Sequence, residues 1–154
     1  RMNIINRNDY IGWLAKLLLD PRRGSGFIAT EFVRRLPQPG CAVGVIDSAT
    51  LSFTTSGSGL ELELVSTYFS AAAENLAEES VLTEQGDDVI LALSLPPTAT
   101  PGRKGIMLAA KNDNRKALEV NREAVEQVIG VMRQALETGG NEEMSGAEDS
   151  GKGE

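Results

Sequence analysis

Acidic side chains supply most of the residues in this chain that could take part in chemistry, and they occur in close pairs. The pairs are Glu61 with Glu63, Glu78 with Glu79, and Asp87 with Asp88. Two carboxyl groups can cleave a glycosidic bond when they face each other across a cleft and one of them has apolar surroundings. The spacing of these pairs instead places them on helix faces and in turns. We therefore expect solvated carboxylates, without the ligand spacing of a calcium loop.

The chain has no histidine and a single cysteine, Cys41. A serine or cysteine nucleophile with a histidine base is therefore excluded, and no set of cysteines and histidines exists for zinc. Cys41 stands at the head of an apolar run, where a buried thiol behaves as a small hydrophobic group. The glycine-containing segments 56–59 and 101–105 match neither a dinucleotide fingerprint nor a phosphate loop. We expect a protein that is not an enzyme, with no catalytic, cofactor-binding or metal-binding residues.

The composition of the chain limits the classes of partner that it can be expected to bind. The 154 residues carry a net charge of −7, and 41% of them are hydrophobic, which suits one domain with irregular ends. An acidic chain argues against nucleic acid as a partner, because that surface needs clustered lysine and arginine. No run approaches the roughly 20 apolar residues that cross a bilayer, so no membrane partner is expected. A lone cysteine gives no disulfide framework, and a cytoplasmic location is the expectation.

The basic residues occur partly as adjacent pairs. These are Arg22 with Arg23, Arg34 with Arg35, Arg103 with Lys104, and Arg115 with Lys116. A pair by itself indicates a solvated surface. If several pairs converge in space, they form a docking patch for an acidic partner or for the acidic tail of this chain.

Apolar periodicity and the positions of proline and glycine predict alternating helices and strands. Helices are predicted over residues 10–19, 27–36, 60–79 and 121–137. Strands are predicted over residues 41–46, 51–55, 81–83, 89–95 and 105–110. Residues 96–104 are expected to be an exposed loop. Gly139 and Gly140 are expected to end the last helix, and the acidic residues 139–154 to be a disordered tail.

From residue 27 onward, the predicted order is helix, two strands, long helix, three strands, helix. This order resembles the roadblock family, named for dynein light chains and found in bacteria as regulators of small Ras-like GTPases. The segments that carry the resemblance are residues 41–47, read as first strand and turn, and residues 80–93, read as a later hairpin. The first hairpin turn departs from the family pattern, because Ser48, Ala49 and Thr50 stand where the family has a glycine.

The resemblance implies an α+β fold. We expect a profilin-like antiparallel sheet of about five strands flanked by helices, with an extra N-terminal helix. The domains would be residues 1–26 as helix and linker, 27–138 as the roadblock-like domain, and 139–154 as the tail. It also implies a non-enzymatic regulatory or scaffolding module that forms a homodimer and binds a protein partner such as a small GTPase. The alternative is a degenerate GAF-type sensor domain for a small ligand.

Two surfaces are candidates for the dimer or partner contact. The first helix has a wide apolar arc that includes Trp13 and Leu17. We expect another surface to pack against such an arc. The long helix offers Tyr68 and Phe69 as aromatic anchors for a two-fold contact. Packing of these side chains inside the same chain is the competing interpretation.

Overall fold

A computed structural model gives the fold of the protein. It describes the backbone of residues 7–47, 51–54, 80–85, 87–98 and 103–146, and the side chains of residues 10–47, 87–98 and 103–138. The helices in these ranges are α1 (Arg7–Leu19), α2 (Ser25–Arg35) and α3 (Arg115–Gly146). The strands are β1 (Ala42–Asp47), β2 (Leu51–Thr54), β3 (Ser80–Gln85), β4 (Asp88–Ser94) and β5 (Arg103–Lys111). The α+β class predicted from the sequence is confirmed.

The described strands form one antiparallel sheet in the order β2-β1-β5-β4-β3. Strand β1 pairs with β5 so that Gly44 lies opposite Met107, and β5 pairs with β4 so that Leu108 lies opposite Leu91. Gly40 has a φ of 92°, a conformation that favours glycine, and it turns the chain into β1. Strands β2 and β3 are the edges of this sheet.

One face of the sheet carries the helices. Alternate residues of the inner strands, such as Val43, Leu91 and Leu108, join the buried side chains of all three helices in one apolar core. Helix α2 packs on β1 and β2, α3 packs on β5, and α1 lies against α3 and α2. The first helix is therefore covered by the other helices more than by the sheet.

The opposite face of the sheet is buried as well. Ile46, Ile90, Met107 and Ala109 point away from the helical core, and each is at most 6% exposed. Burial on both faces explains why β4 and β5 read as continuous apolar runs and not as alternating strands. The long helix predicted over residues 60–79 lies outside the described residues.

The helix bounds correct several predictions. Helix α1 begins three residues earlier than predicted, and α2 begins at Ser25 instead of residue 27. Helix α3 begins at Arg115 instead of residue 121, because burial of Ala117 and Leu118 stabilises its first turns. The predicted end at Gly139 and Gly140 is wrong, since α3 continues to Gly146. A glycine lowers helix propensity by about 1 kcal/mol, but it ends a helix only where it adopts a left-handed cap.

Two further corrections concern the predicted loop and tail. Strand β5 begins at Arg103, so the segment predicted as an exposed loop over residues 96–104 is shorter, and Arg103 within it is buried. Residues 139–146, assigned to the disordered tail, have a helical backbone. Residues 147–154 lie outside the described part of the chain, and their disorder stays a prediction.

Candidate interaction surface

The junction between α1 and α2 is held by one buried arginine from the sheet. Arg103 donates from Nη1 to the carbonyl oxygens of Leu18 and Asp20 at 3.0 and 2.9 Å, and from Nη2 to the carbonyl oxygen of Arg23. The last carbonyl groups of a helix have no partners within the helix. Arg103 therefore caps the end of α1 and fixes the loop that leads into α2.

An irregularity in strand pairing places Arg103 there. Ile46 pairs with Gly105, but Asp47 pairs with Arg103, so Lys104 is an extra residue on β5. An extra residue of this kind re-aims the side chain next to it. Burial lowers the pKa of the Arg103 guanidinium, and the nearby Asp47 and Asp20 carboxylates oppose this shift. On the same side, Ser25 donates its hydroxyl to Asp47 Oδ2 at 2.8 Å, which ties the start of α2 to β1.

Glu31 organises the outer side of the two helices. It is only 5% exposed, and its carboxylate accepts hydrogen bonds from Arg35 Nε at 3.0 Å and from Arg34 Nη1 at 3.4 Å. Trp13 Nε1 lies 3.5 Å from the same carboxylate, and the Arg35 guanidinium lies over the Trp13 ring at 5.9 Å from its centre. The Trp13 ring is nevertheless 38% exposed. Glu31 thus holds an indole and two guanidinium groups at the surface.

A second aromatic and arginine pair lies nearer the loop. Phe27 is 44% exposed, and the Arg23 guanidinium lies over its ring at 5.1 Å from the centre. Asp20 accepts two hydrogen bonds from the Arg22 side chain, at 3.0 and 3.1 Å. These bonds lower the pKa of Asp20. Phe27, Glu31 and Arg34 follow the spacing of one helix face, so the two aromatic clusters belong to one surface.

We call this region the α1–α2 surface and define it by its exposed or half-buried members. They are Trp13, Lys16, Arg22, Arg23, Phe27, Arg34 and Arg35. Residues 7–36 carry six basic and three acidic side chains, a net charge of +3, within a chain whose net charge is −7. Two of the four basic pairs noted in the sequence therefore converge on a surface that also exposes two aromatic rings.

The residues predicted to mediate contacts are placed differently by the fold. Trp13 lies on the α1–α2 surface, whereas Leu17 is 3% exposed and belongs to the core. The two side chains thus do not share a surface, because Leu17 points with Leu14 and Leu18 toward the other helices. Tyr68 and Phe69 lie outside the described residues. The structure adds Phe27 and Glu31, which the sequence did not single out, and it buries Arg103, which the sequence placed in a solvated basic pair.

A local signal existed for one of these three residues. Glu31 is the only acidic residue of α2, and it stands three and four positions before an arginine pair, a spacing at which side chains on a helix meet. Arg103 gave no such signal, because its partners lie about 80 residues earlier in the chain.

Cys41 lies beside a small cleft at the start of β1. The cleft has a volume of about 250 Å³, and Cys41, Val33, Leu36 and Asn121 contribute to its lining. Burial raises the pKa of the Cys41 thiol, and a hydrogen bond with Asn121 opposes this shift. Both amide atoms of Asn121 bond the backbone of Gln38, at 3.0 and 2.9 Å. The amide group of Asn121 is therefore used for structure.

The remaining sites suggested by the sequence do not assemble. Asp88 is buried and lies 3.4 Å from Lys111 Nζ, so it forms an ion pair across β4 and β5, while Asp87 is exposed. The pairs at residues 61, 63, 78 and 79 lie outside the described residues. Within the described part of the chain, no group of three or more acidic or cysteine side chains could hold a metal ion. The helices in that part include none that combines the length and the apolar character of a membrane span.

Comparison with known proteins gives no relative. The chain matches no protein-family model, no curated protein and no solved structure. The functional argument therefore depends on the surface itself.

Proposed function

We propose that this domain is a non-enzymatic regulatory or scaffolding module that forms a homodimer and binds a partner protein. The observation that carries the proposal is the α1–α2 surface. Trp13 and Phe27 are exposed there, although the other large apolar side chains of α1 and α2 are buried or half-buried against the core. Aromatic and arginine side chains are enriched among the residues that dominate binding energy at protein interfaces. Glu31 holds Trp13 in place, which lowers the entropic cost of binding.

The profilin-like architecture and the roadblock resemblance belong to this proposal. The order of described elements, a helix, two strands, three further strands and a helix, supports it. Among the described strands, β2 and β3 lie at the edges of the sheet, where a second copy could pair with the backbone. The long predicted helix with Tyr68 and Phe69 would add apolar contacts to that dimer. The resemblance implies a small Ras-like GTPase as the partner class and the cytoplasm as the compartment.

Two measurements on the full chain test the proposal. Sedimentation should give twice the mass of one chain, and a purified small Ras-like GTPase should form a complex with the dimer. Trp13→Ala should stay folded and weaken the complex, because Trp13 is an exposed interface side chain. The matched control is Val131→Ala on α3, which removes a side chain of similar exposure elsewhere. A monomer that binds no GTPase would contradict the proposal.

The alternative function, a degenerate GAF-type sensor, needs a ligand pocket, and the cleft beside Cys41 is the candidate for it. Its volume of about 250 Å³ falls just below the range of roughly 300–1,000 Å³ typical of small-molecule pockets. One of its polar side chains, Asn121, is already bonded to the backbone of Gln38. A library of small metabolites that raises the melting temperature of wild type, but not of an Asn121→Leu variant that remains folded, would support the sensor.

A further inference from the structure

We propose that the α1–α2 surface binds an acidic amphipathic helix of the partner protein, and this rests on the proposed function. The partner helix would place one carboxylate at Arg23 beside Phe27 and another at Arg34, with apolar side chains between them. The arginines of this surface differ in their capacity to bind a further carboxylate.

The four arginines differ in how firmly their own carboxylates hold them. Arg22 is bound by Asp20 through short bonds, and Arg35 is bound by Glu31 at 3.0 Å. Arg34 makes a longer contact of 3.4 Å with Glu31 while its side chain is 67% exposed. Arg23 lies 3.8 Å from Asp20, and its side chain is 47% exposed. Arg23 and Arg34 are thus the arginines of this surface that are best able to take a new carboxylate.

Stacking prepares Arg23 for that role. Its guanidinium lies over the Phe27 ring, and a stacked guanidinium keeps its edge donors available to bind a carboxylate through two parallel bonds. Phe27 and Arg34 are seven residues apart on one face of α2, which corresponds to about 10 Å along the helix. The exposed Trp13 ring lies between them at the level of Glu31.

These positions define the shape of the partner. Two carboxylates on one face of a helix are about 10 Å apart when they are seven residues apart in sequence. Residues three and four positions after the first carboxylate lie on that same face, where apolar side chains would contact Trp13. The surface has a net positive charge in an otherwise acidic chain, so it favours an acidic partner and repels a basic one.

The test uses fluorescence, because Trp13 is the single tryptophan of the chain. The probe is an alanine-based helical peptide with glutamates seven residues apart and leucines between them. The control peptide carries lysine in place of the glutamates. We expect the glutamate peptide to shift the Trp13 emission to shorter wavelength in a saturable way, and added salt to weaken binding.

Charge variants of the full chain locate the contact. Arg23→Gln with Arg34→Gln should weaken binding of the glutamate peptide about tenfold, since two exposed charge pairs are lost. Arg133→Gln removes the same charge from an exposed position on α3 and should leave binding unchanged. Equal binding of the lysine peptide, or equal loss with Arg133→Gln, would overturn the inference.

Three other outcomes separate this inference from lipid binding and from the proposed function. If phosphatidylserine vesicles shift the Trp13 emission and the glutamate peptide does not, the surface contacts lipid and the inference is wrong. If the chain forms its dimer and binds a GTPase while the glutamate peptide has no effect, the proposed function stands and the acidic helix is wrong. If neither the dimer nor the GTPase complex forms but the peptide binds, the proposed function fails alone.

Discussion

Arg103 is the side chain on which the junction of α1 and α2 depends. It replaces water as the donor to three backbone carbonyl groups, and it does so from a position that is 4% exposed. Removing the guanidinium takes one donor from each of these carbonyls, although the Asp20 carbonyl keeps its bond from the Arg23 N–H at 3.2 Å. A buried polar group that is left without a partner costs about 1–3 kcal/mol.

We therefore predict that Arg103→Met lowers the free energy of unfolding by roughly 2–4 kcal/mol. Urea denaturation followed by circular dichroism measures this. Lys104→Met is the matched control, because Lys104 is the exposed neighbour on the same strand, and it should cost less than about 0.5 kcal/mol. Similar losses for both variants would show that Arg103 does not hold the junction.

The Cys41 thiol should react slowly with alkylating reagents in the native protein. Burial raises its pKa, so the reactive thiolate is scarcer than in an exposed cysteine at the same pH. The folded state holds the Cys41 thiol proton more tightly than the unfolded state does. The contribution of this proton to the free energy of unfolding is therefore complete below the ordinary thiol pKa, and it is lost as the pH rises through the raised pKa. Iodoacetamide labelling with and without urea tests this, and equal rates in both conditions would mean that the thiol is accessible.

Among the elements, α3 has the clearest division between a buried and an exposed face. Val125, Val128 and Met132 are fully buried, and Ile129 is 8% exposed beside them. We predict that Ile129→Ala costs roughly 2–5 kcal/mol of unfolding free energy, whereas the exposed Glu126→Ala costs little. Thermal melts of the two variants check the helix phase. Equal effects would contradict the packing of α3.

Helix α1 separates core from surface within one turn. We predict that Leu17→Asn unfolds the chain or lowers its melting temperature by many degrees, because it places an amide in the apolar core. Trp13→Ala should leave most of the stability in place, since the ring is partly exposed. Circular dichroism melts of both single variants test this, and a folded Leu17→Asn chain would show that α1 is not part of the core.

The sequence predicts an element best where its pattern is local. Strands β1, β4 and β5 were found within two residues of their true ends, because their apolar runs are bounded by proline, glycine or acidic residues. The start of α3 was missed because Asn112, Asp113 and Asn114 resemble a loop, and the burial that stabilises its first turns comes from distant residues. The α1–α2 surface was missed for the same reason, since helical spacing places Trp13 on α1 but does not bring Glu31 to it.

At the scale of the whole molecule, charge is distributed unevenly. Residues 7–36 are basic, while residues 141–154 carry five acidic residues against one lysine. Acidic, glycine-rich segments bury too little apolar area to offset their ordering entropy. We predict that deleting residues 147–154 changes the melting temperature by less than about 2 °C. A drop of several degrees in differential scanning calorimetry would show that the tail binds the domain.

The contacts that join the first 40 residues to β5 and α3 have a consequence for how the chain folds during synthesis. Arg103 bonds Leu18 across 85 residues, and Asn121 bonds Gln38 across 83. Such distant contacts slow folding, because a long loop closes before the contacts form. A ribosome adds about 5–20 residues per second, so α1 and α2 wait on the order of 4–15 seconds until β5 is complete. During that interval Leu14, Leu18 and Phe32 lack part of their final cover, so we expect the nascent α1–α2 segment to expose apolar surface of the kind that chaperones bind.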